Sequence, residues 1–183
     1  MNHKSNNGFI GGGLNSQIKN KCTNIELRLV ITAIAFLLVG VMVYLFDRPS
    51  GSTSFIPMSY SFNWSLFGSI GEHIPTFVHV YAFILLSAVV VHPSKQNYLY
   101  ISLMWLVIDA VFELAQHAVI SSWLEASLPI WIQHLPGVFN IIHHLSVSTF
   151  DLYDLCSIFV GAIAGYITLL FALFMRKRKI NVF

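Results

Sequence analysis

The sequence predicts an all-α integral membrane protein, a four-transmembrane-helix bundle that is N-in/C-in and carries interfacial or re-entrant outer loops. Of 183 residues, 56% are hydrophobic and 10% charged, far from the balance of a soluble domain. Four apolar runs are each long enough to cross a hydrocarbon core of about 30 Å, which takes roughly 20 helical residues. Basic residues, which cytoplasmic flanks retain, fix the orientation. Lys4, Lys19, Lys21 and Arg28 precede the first run, Lys95 separates the second from the third, and Arg176, Lys177, Arg178 and Lys179 follow the fourth. Of the ten Lys and Arg, only Arg48 falls on the outer side.

In chain order, residues 1–24 are rich in Asn, Gly, Ser and Lys and lack periodic apolar positions, so they are expected to form a disordered cytoplasmic tail. Gly11 to Gly13 precede neither a strand nor a P-loop lysine. A single membrane domain is expected over residues 25–183, with spans at about 29–46, 74–92, 98–120 and 155–175. No small-residue cleavage site follows the first span, so it is read as a signal anchor. The stretch "FIPMSYSFNWSLFGSIGEHIP" between the first two spans reads as aromatic interfacial structure.

The outer connector, 121–153, contains "LPIWIQHLPGVFNIIHHLSV", apolar enough to suggest a fifth span. Parity argues against it, because a fifth crossing would place the basic C-terminal run outside. Pro129, Pro136, Gly137 and the histidines fit an amphipathic or re-entrant element better, with Trp123 and Trp131 at headgroup level. Cys22 in the tail and Cys156 in the fourth span lie in different compartments, which excludes a disulfide.

The third span carries Asp109, Glu113, Gln116 and His117, at i, i+4, i+7 and i+8 on one helical face. At roughly 1.5 Å per residue, Glu113 lies about 10 Å and His117 about 5 Å below the outer end, with His79 of the second span at about 7 Å. Asp151 and Asp154 open the fourth span at the same level. Ionisable side chains in a membrane cost several kcal/mol unless they face a bundle interior or a wet cavity, so the stripe is expected to point inward. His79, Asp109, Glu113, Gln116, His117 and Asp154 are the expected polar pocket. Interhelical hydrogen bonding without chemistry is the competing reading of each residue taken singly. Gly161 and Gly165 form a GxxxG that is read as helix packing.

Three signatures resemble the VanZ-like family of small bacterial membrane proteins: "HVYAF" at His79, "ELAQ" at Glu113 and Gln116, and "DLCSIFVGAIAG", in which Asp154, Gly161 and Gly165 stand where that family has an Asp and two glycines. The resemblance covers about Ile74 to Tyr166. It departs at Ile158, where the family has Asn, and at Pro75 and Thr76, where an Asp-Lys pair is common. It implies a cell-envelope role in the bacterial cytoplasmic membrane, loosely associated with glycopeptide resistance, and supplies no reaction.

Three functions compete on these residues. The first is a VanZ-like protein whose outer-leaflet pocket binds a lipid-linked or polar headgroup or a small polar ligand. Carboxylate beside imidazole suits proton transfer, but no nucleophile motif accompanies them, so no enzyme is assigned. The second is a b-type haem protein with His79 and His117 as axial ligands, to be tested by a Soret band. The third is an accessory subunit docking onto a larger membrane complex through its aromatic outer loops. The expected partners are the lipid bilayer, a polar ligand and a membrane protein, not nucleic acid. No cofactor is expected. A metal site from His143, His144, Asp151 and Asp154 is disfavoured, because adjacent histidines point different ways on a helix.

Overall fold

The computed structural model describes residues 11–47, 67–133 and 149–180, with isolated positions between 135 and 145. The described residues form helices and connections, with no strand among them: α1 (Gly11–Asp47), α2 (Ser69–Val90), α3 (Lys95–Ala115), α4 (Ala118–Ser127), α5 (Ile130–Gln133) and α6 (Leu152–Ile180). Among the described residues, four stretches are long and apolar enough to cross a membrane: Asn24–Phe46, Ile70–Val90, Lys95–Ala115 and Leu152–Arg178, with mean hydropathies of 2.8, 1.8, 1.6 and 2.3. The chain is a multi-pass membrane protein. Its outward apolar surface follows from that solvent: Leu38, Val107 and Phe171 are all more than half exposed, as lipid-facing side chains must be.

Two boundaries differ from the sequence reading. The first helix does not begin near residue 29 but runs back to Gly11, through most of the expected tail. No proline occurs before Pro49, and a helix already nucleated by a strongly apolar span extends at little cost per residue. The expected tail over residues 1–10 lies outside the described residues. The third helix stops at Ala115 instead of continuing to residue 120, with Gln116 as its cap and His117 in extended backbone before α4. Within 128–147, the described residues include no helix long enough to span. Most of the interfacial stretch that precedes α2, and His143 and His144, lie outside the described residues.

α2 is the central helix. It packs on α1 along one side and α6 along another, while α3 leans mainly on α6 and less on α2. The α2–α6 seam is close because α6 presents glycines. A Cβ at Gly161 would lie 2.8 Å from the carbonyl oxygen of Phe77, and one at Gly165 would lie 3.0 Å from Cγ2 of Ile84. Small residues at such positions let transmembrane backbones approach where no hydrophobic effect drives them together. Val80, Ile84, Leu85, Ile158 and Leu169 are almost wholly buried around that seam. The connection from α2 to α3 is short, and Ser94 Oγ accepts from the Asn97 amide at 3.1 Å while Asn97 Nδ2 donates to the His92 carbonyl at 2.8 Å. Both contacts fix the start of α3 as an N-cap does, so α2 and α3 run antiparallel.

At the end of the bundle where α3 begins and α6 finishes, Arg176 Nη2 donates to Glu26 Oε1 at 3.4 Å and ties α6 to α1. Tyr98 is fully buried within electrostatic reach of that pair.

Candidate functional site

The opposite end gathers polar side chains from α2, α3 and the start of α6. α6 opens on Asp151, which precedes its first residue. Asp151 Oδ1 accepts from the Tyr153 amide at 2.8 Å and its carbonyl accepts from the Leu155 amide at 3.2 Å. These are capping contacts that fix the entry to α6. Asp154, in the first turn, has its Oδ1 2.9 Å from His73 Nδ1 and 3.1 Å from Thr76 Oγ1, which donates to it. His73 and Thr76 are one turn apart on α2 and share a face, so both reach one carboxylate. His73 Nδ1 also lies 4.0 Å from Asp151 Oδ2.

Glu113 joins the same cluster from α3. Its Oε1 accepts from the backbone amide of Asp151 at 2.9 Å, and its Oε2 accepts from Gln116 Nε2 at 3.1 Å. At 6% exposure it is the only buried carboxylate among the described residues. Both its oxygens are satisfied, which a buried carboxylate requires. Glu113 therefore positions the Asp151 backbone, and through it the opening turn of α6, against α2.

The expected pocket is divided by this geometry. Glu113, Gln116 and Asp154 meet, with Asp151 as the link. His79 is not Asp154's partner: His73 is. His79 lies two turns further along α2, exposed, with its ring 4.2 Å from that of Phe83 in an edge contact. Phe83 in turn stacks on Trp105 at 4.8 Å, and Trp105 Nε1 donates to Ser87 Oγ at 2.9 Å. Asp109 belongs to this second level, within electrostatic reach of His79, and its Oδ2 is buried with no hydrogen-bond partner. Beside His79, between α1 and α2, is a mostly apolar recess of about 230 Å³ lined by Leu37, Gly40, Tyr44 and Pro75 among others.

His117 leaves the stripe altogether. The helix ends at Ala115, so His117 caps α4 and places its exposed ring 5.8 Å from Phe150. His79 and His117 stand in separate aromatic contacts, with Phe83 and Phe150 respectively. The periodicity that placed His117 on the stripe assumed an unbroken helix.

The residues that sequence reasoning missed are His73 and Thr76; Asp151 was noted but left out of the pocket. A signal for His73 was available: it precedes His79 by six residues and lies closer to the start of the same helix, the end that meets the opening of α6. His73, Asp151 and Asp154 offer one Nδ1 and two carboxylate oxygens that all lie within 4.8 Å of one another, a donor set suited to a metal ion. The alternative set considered from sequence drew its imidazoles from His143 and His144 instead. Chemically, the end of the bundle is an acceptor-rich cluster with one imidazole, and no Lys or Arg occurs between Gln96 and Met175 to offset it. Compared with known proteins, the chain matches no family model, no curated protein and no solved structure.

Proposed function

We propose that this chain is a VanZ-like protein of the bacterial cytoplasmic membrane, with both termini cytoplasmic, whose outer-leaflet polar site holds a polar headgroup or a small polar ligand. One observation carries the reading. Side chains from three helices, His73, Glu113 and Asp154, converge on the end of the bundle opposite the basic flanks. Ionisable groups in a membrane are costly, and three carboxylates around one imidazole go beyond the single polar contacts that hold helices together. Acceptor oxygens in excess favour a ligand that brings hydrogen-bond donors or positive charge, such as an ammonium-bearing or hydroxyl-rich headgroup.

Two measurements test this reading. Cysteines placed at Ser50 and Ser127 are expected to react with an impermeant reagent from outside the cell, and labelling from the cytoplasm alone would overturn the orientation. Lipid or headgroup retained by the purified protein in native mass spectrometry should fall when Asp154→Asn is introduced. Unchanged retention, together with unchanged glycopeptide susceptibility of the host, would remove the support for a ligand site.

A second reading, an accessory subunit of a larger membrane complex, draws on the exposed indoles Trp123 and Trp131, 65% and 69% accessible on α4 and α5. Indoles suit a headgroup belt and a protein contact alike. Co-purification of a stoichiometric partner that is lost on Trp123→Ala would favour that reading.

A further inference from the structure

We propose that His73, Asp151 and Asp154 bind a divalent transition cation of the zinc class, with one coordination position left open toward the ligand. The inference rests on the ligand-site reading above and names the chemistry of that site. Zinc bonds to imidazole nitrogen and carboxylate oxygen at about 2.0–2.2 Å, so tetrahedral ligand atoms stand roughly 3.3 Å apart. His73 Nδ1 is 2.9 Å from Asp154 Oδ1 and 4.0 Å from Asp151 Oδ2. These two separations bracket that value, and all three ligand atoms lie within 4.8 Å of one another. One imidazole with two carboxylates selects zinc, cobalt or manganese over calcium and magnesium, which take oxygen alone.

Two further features belong to a cation site. The ligands are already oriented by outer partners: Thr76 Oγ1 donates to Asp154, the Tyr153 amide donates to Asp151 Oδ1 and leaves Oδ2 toward His73, and Glu113 holds the Asp151 backbone. Such outer contacts fix metal ligands in place. The charge count points the same way. Glu113, Asp151 and Asp154 bring three carboxylates to one end of the bundle, and His73 is the single basic side chain in contact with them among the described residues. A hydrogen-bonded imidazolium offsets one negative charge at most, whereas a dication offsets two in a low-dielectric setting where uncompensated charge is expensive. Asp151, with a 39% exposed side chain, leaves the cluster reachable from the aqueous edge.

The test uses the full chain purified in detergent, stripped with a chelator and titrated with Zn2+ and with Co2+ as an optical probe. Expected are one Zn2+ per chain, visible ligand-field bands with Co2+, and no competition from a large excess of Mg2+. His73→Ala and Asp154→Asn should abolish binding. Thr76→Val, which keeps all three ligands and the shape of the helix, should weaken it about 10- to 100-fold. His92→Ala, in the connection beyond the far end of α2, should bind as the parent does. Circular dichroism and gel filtration establish that the variants remain folded. A parent protein that binds no Zn2+, or His73→Ala binding as tightly as the parent, overturns the proposal. If Zn2+ fails to bind while headgroup retention still depends on Asp154, the metal is wrong and the ligand site stands. If Zn2+ binds but neither loaded nor stripped protein retains a headgroup, the metal site stands and the headgroup reading falls.

Discussion

The two ends of the bundle handle charge in opposite ways. At the basic end a single acid, Glu26, meets a single buried base, Arg176, and the pair ties the first helix to the last. At the other end Glu113, Asp151 and Asp154 crowd together with one imidazole between them. An opposite-charge pair bridging two helices is explained by holding the fold. A surplus of like charge is not, since removing a carboxylate would relieve repulsion. Stability and function should therefore separate: substitutions at the basic end cost folding, while those at the acidic end cost ligand binding and little folding.

The largest expected effect lies in the seam that both ends depend on. Gly161→Leu forces a side chain against the Phe77 carbonyl and should cost about 3 kcal/mol, the upper end for overpacking, read as a loss of thermal stability in detergent together with ligand binding. If only one end responds, the ends do not share the α2–α6 seam. Next, Arg176→Ala removes the stem packing and the Glu26 contact. Breaking a buried pair costs roughly 3–5 kcal/mol, but Glu26 is 37% exposed, so about 2 kcal/mol is expected, with ligand binding intact in the folded fraction.

Glu113→Gln sharpens the contrast. A glutamine oxygen can still accept from the Asp151 amide, and Gln116 can turn its amide to match, so melting should shift by less than about 1 kcal/mol while ligand retention is lost. A variant that melts far earlier would make Glu113 a structural residue like Arg176. The smallest effect is Asp151→Asn in chelator-treated protein, expected to gain about 0.5 kcal/mol because a partly exposed like charge is removed. A clear loss of stability there would mean that the acidic end is already neutralised by protons.

The elements legible in the sequence are those set by short-range periodicity. Glu113 and Gln116 fall three residues apart on one helix, and Gln116 donates to Glu113. That pairing needs only helical geometry. The opening of α6 at Asp151 and Asp154 was likewise readable as the start of an apolar run. His117 was misplaced because one residue of extended backbone after Gln116 ends the phase on which the stripe depended.

By itself the sequence determined that this is a helical membrane protein with four long apolar runs, because a hydrocarbon solvent admits little else for runs of this length. Only the tertiary structure decided which histidine faces Asp154. His73 and His79 differ by six residues, which is about 9 Å of rise and about 240° of rotation on a helix. Hydropathy rates both positions alike. What separates them is the rotation of α2 about its own axis, set by the close approach of Gly161 to Phe77 and of Gly165 to Ile84. That seam turns His73 and Thr76 toward α6 and leaves His79 to the aromatic row of Phe83 and Trp105, because a transmembrane helix takes its rotation from steric fit with its neighbours and not from the polarity of any one side chain.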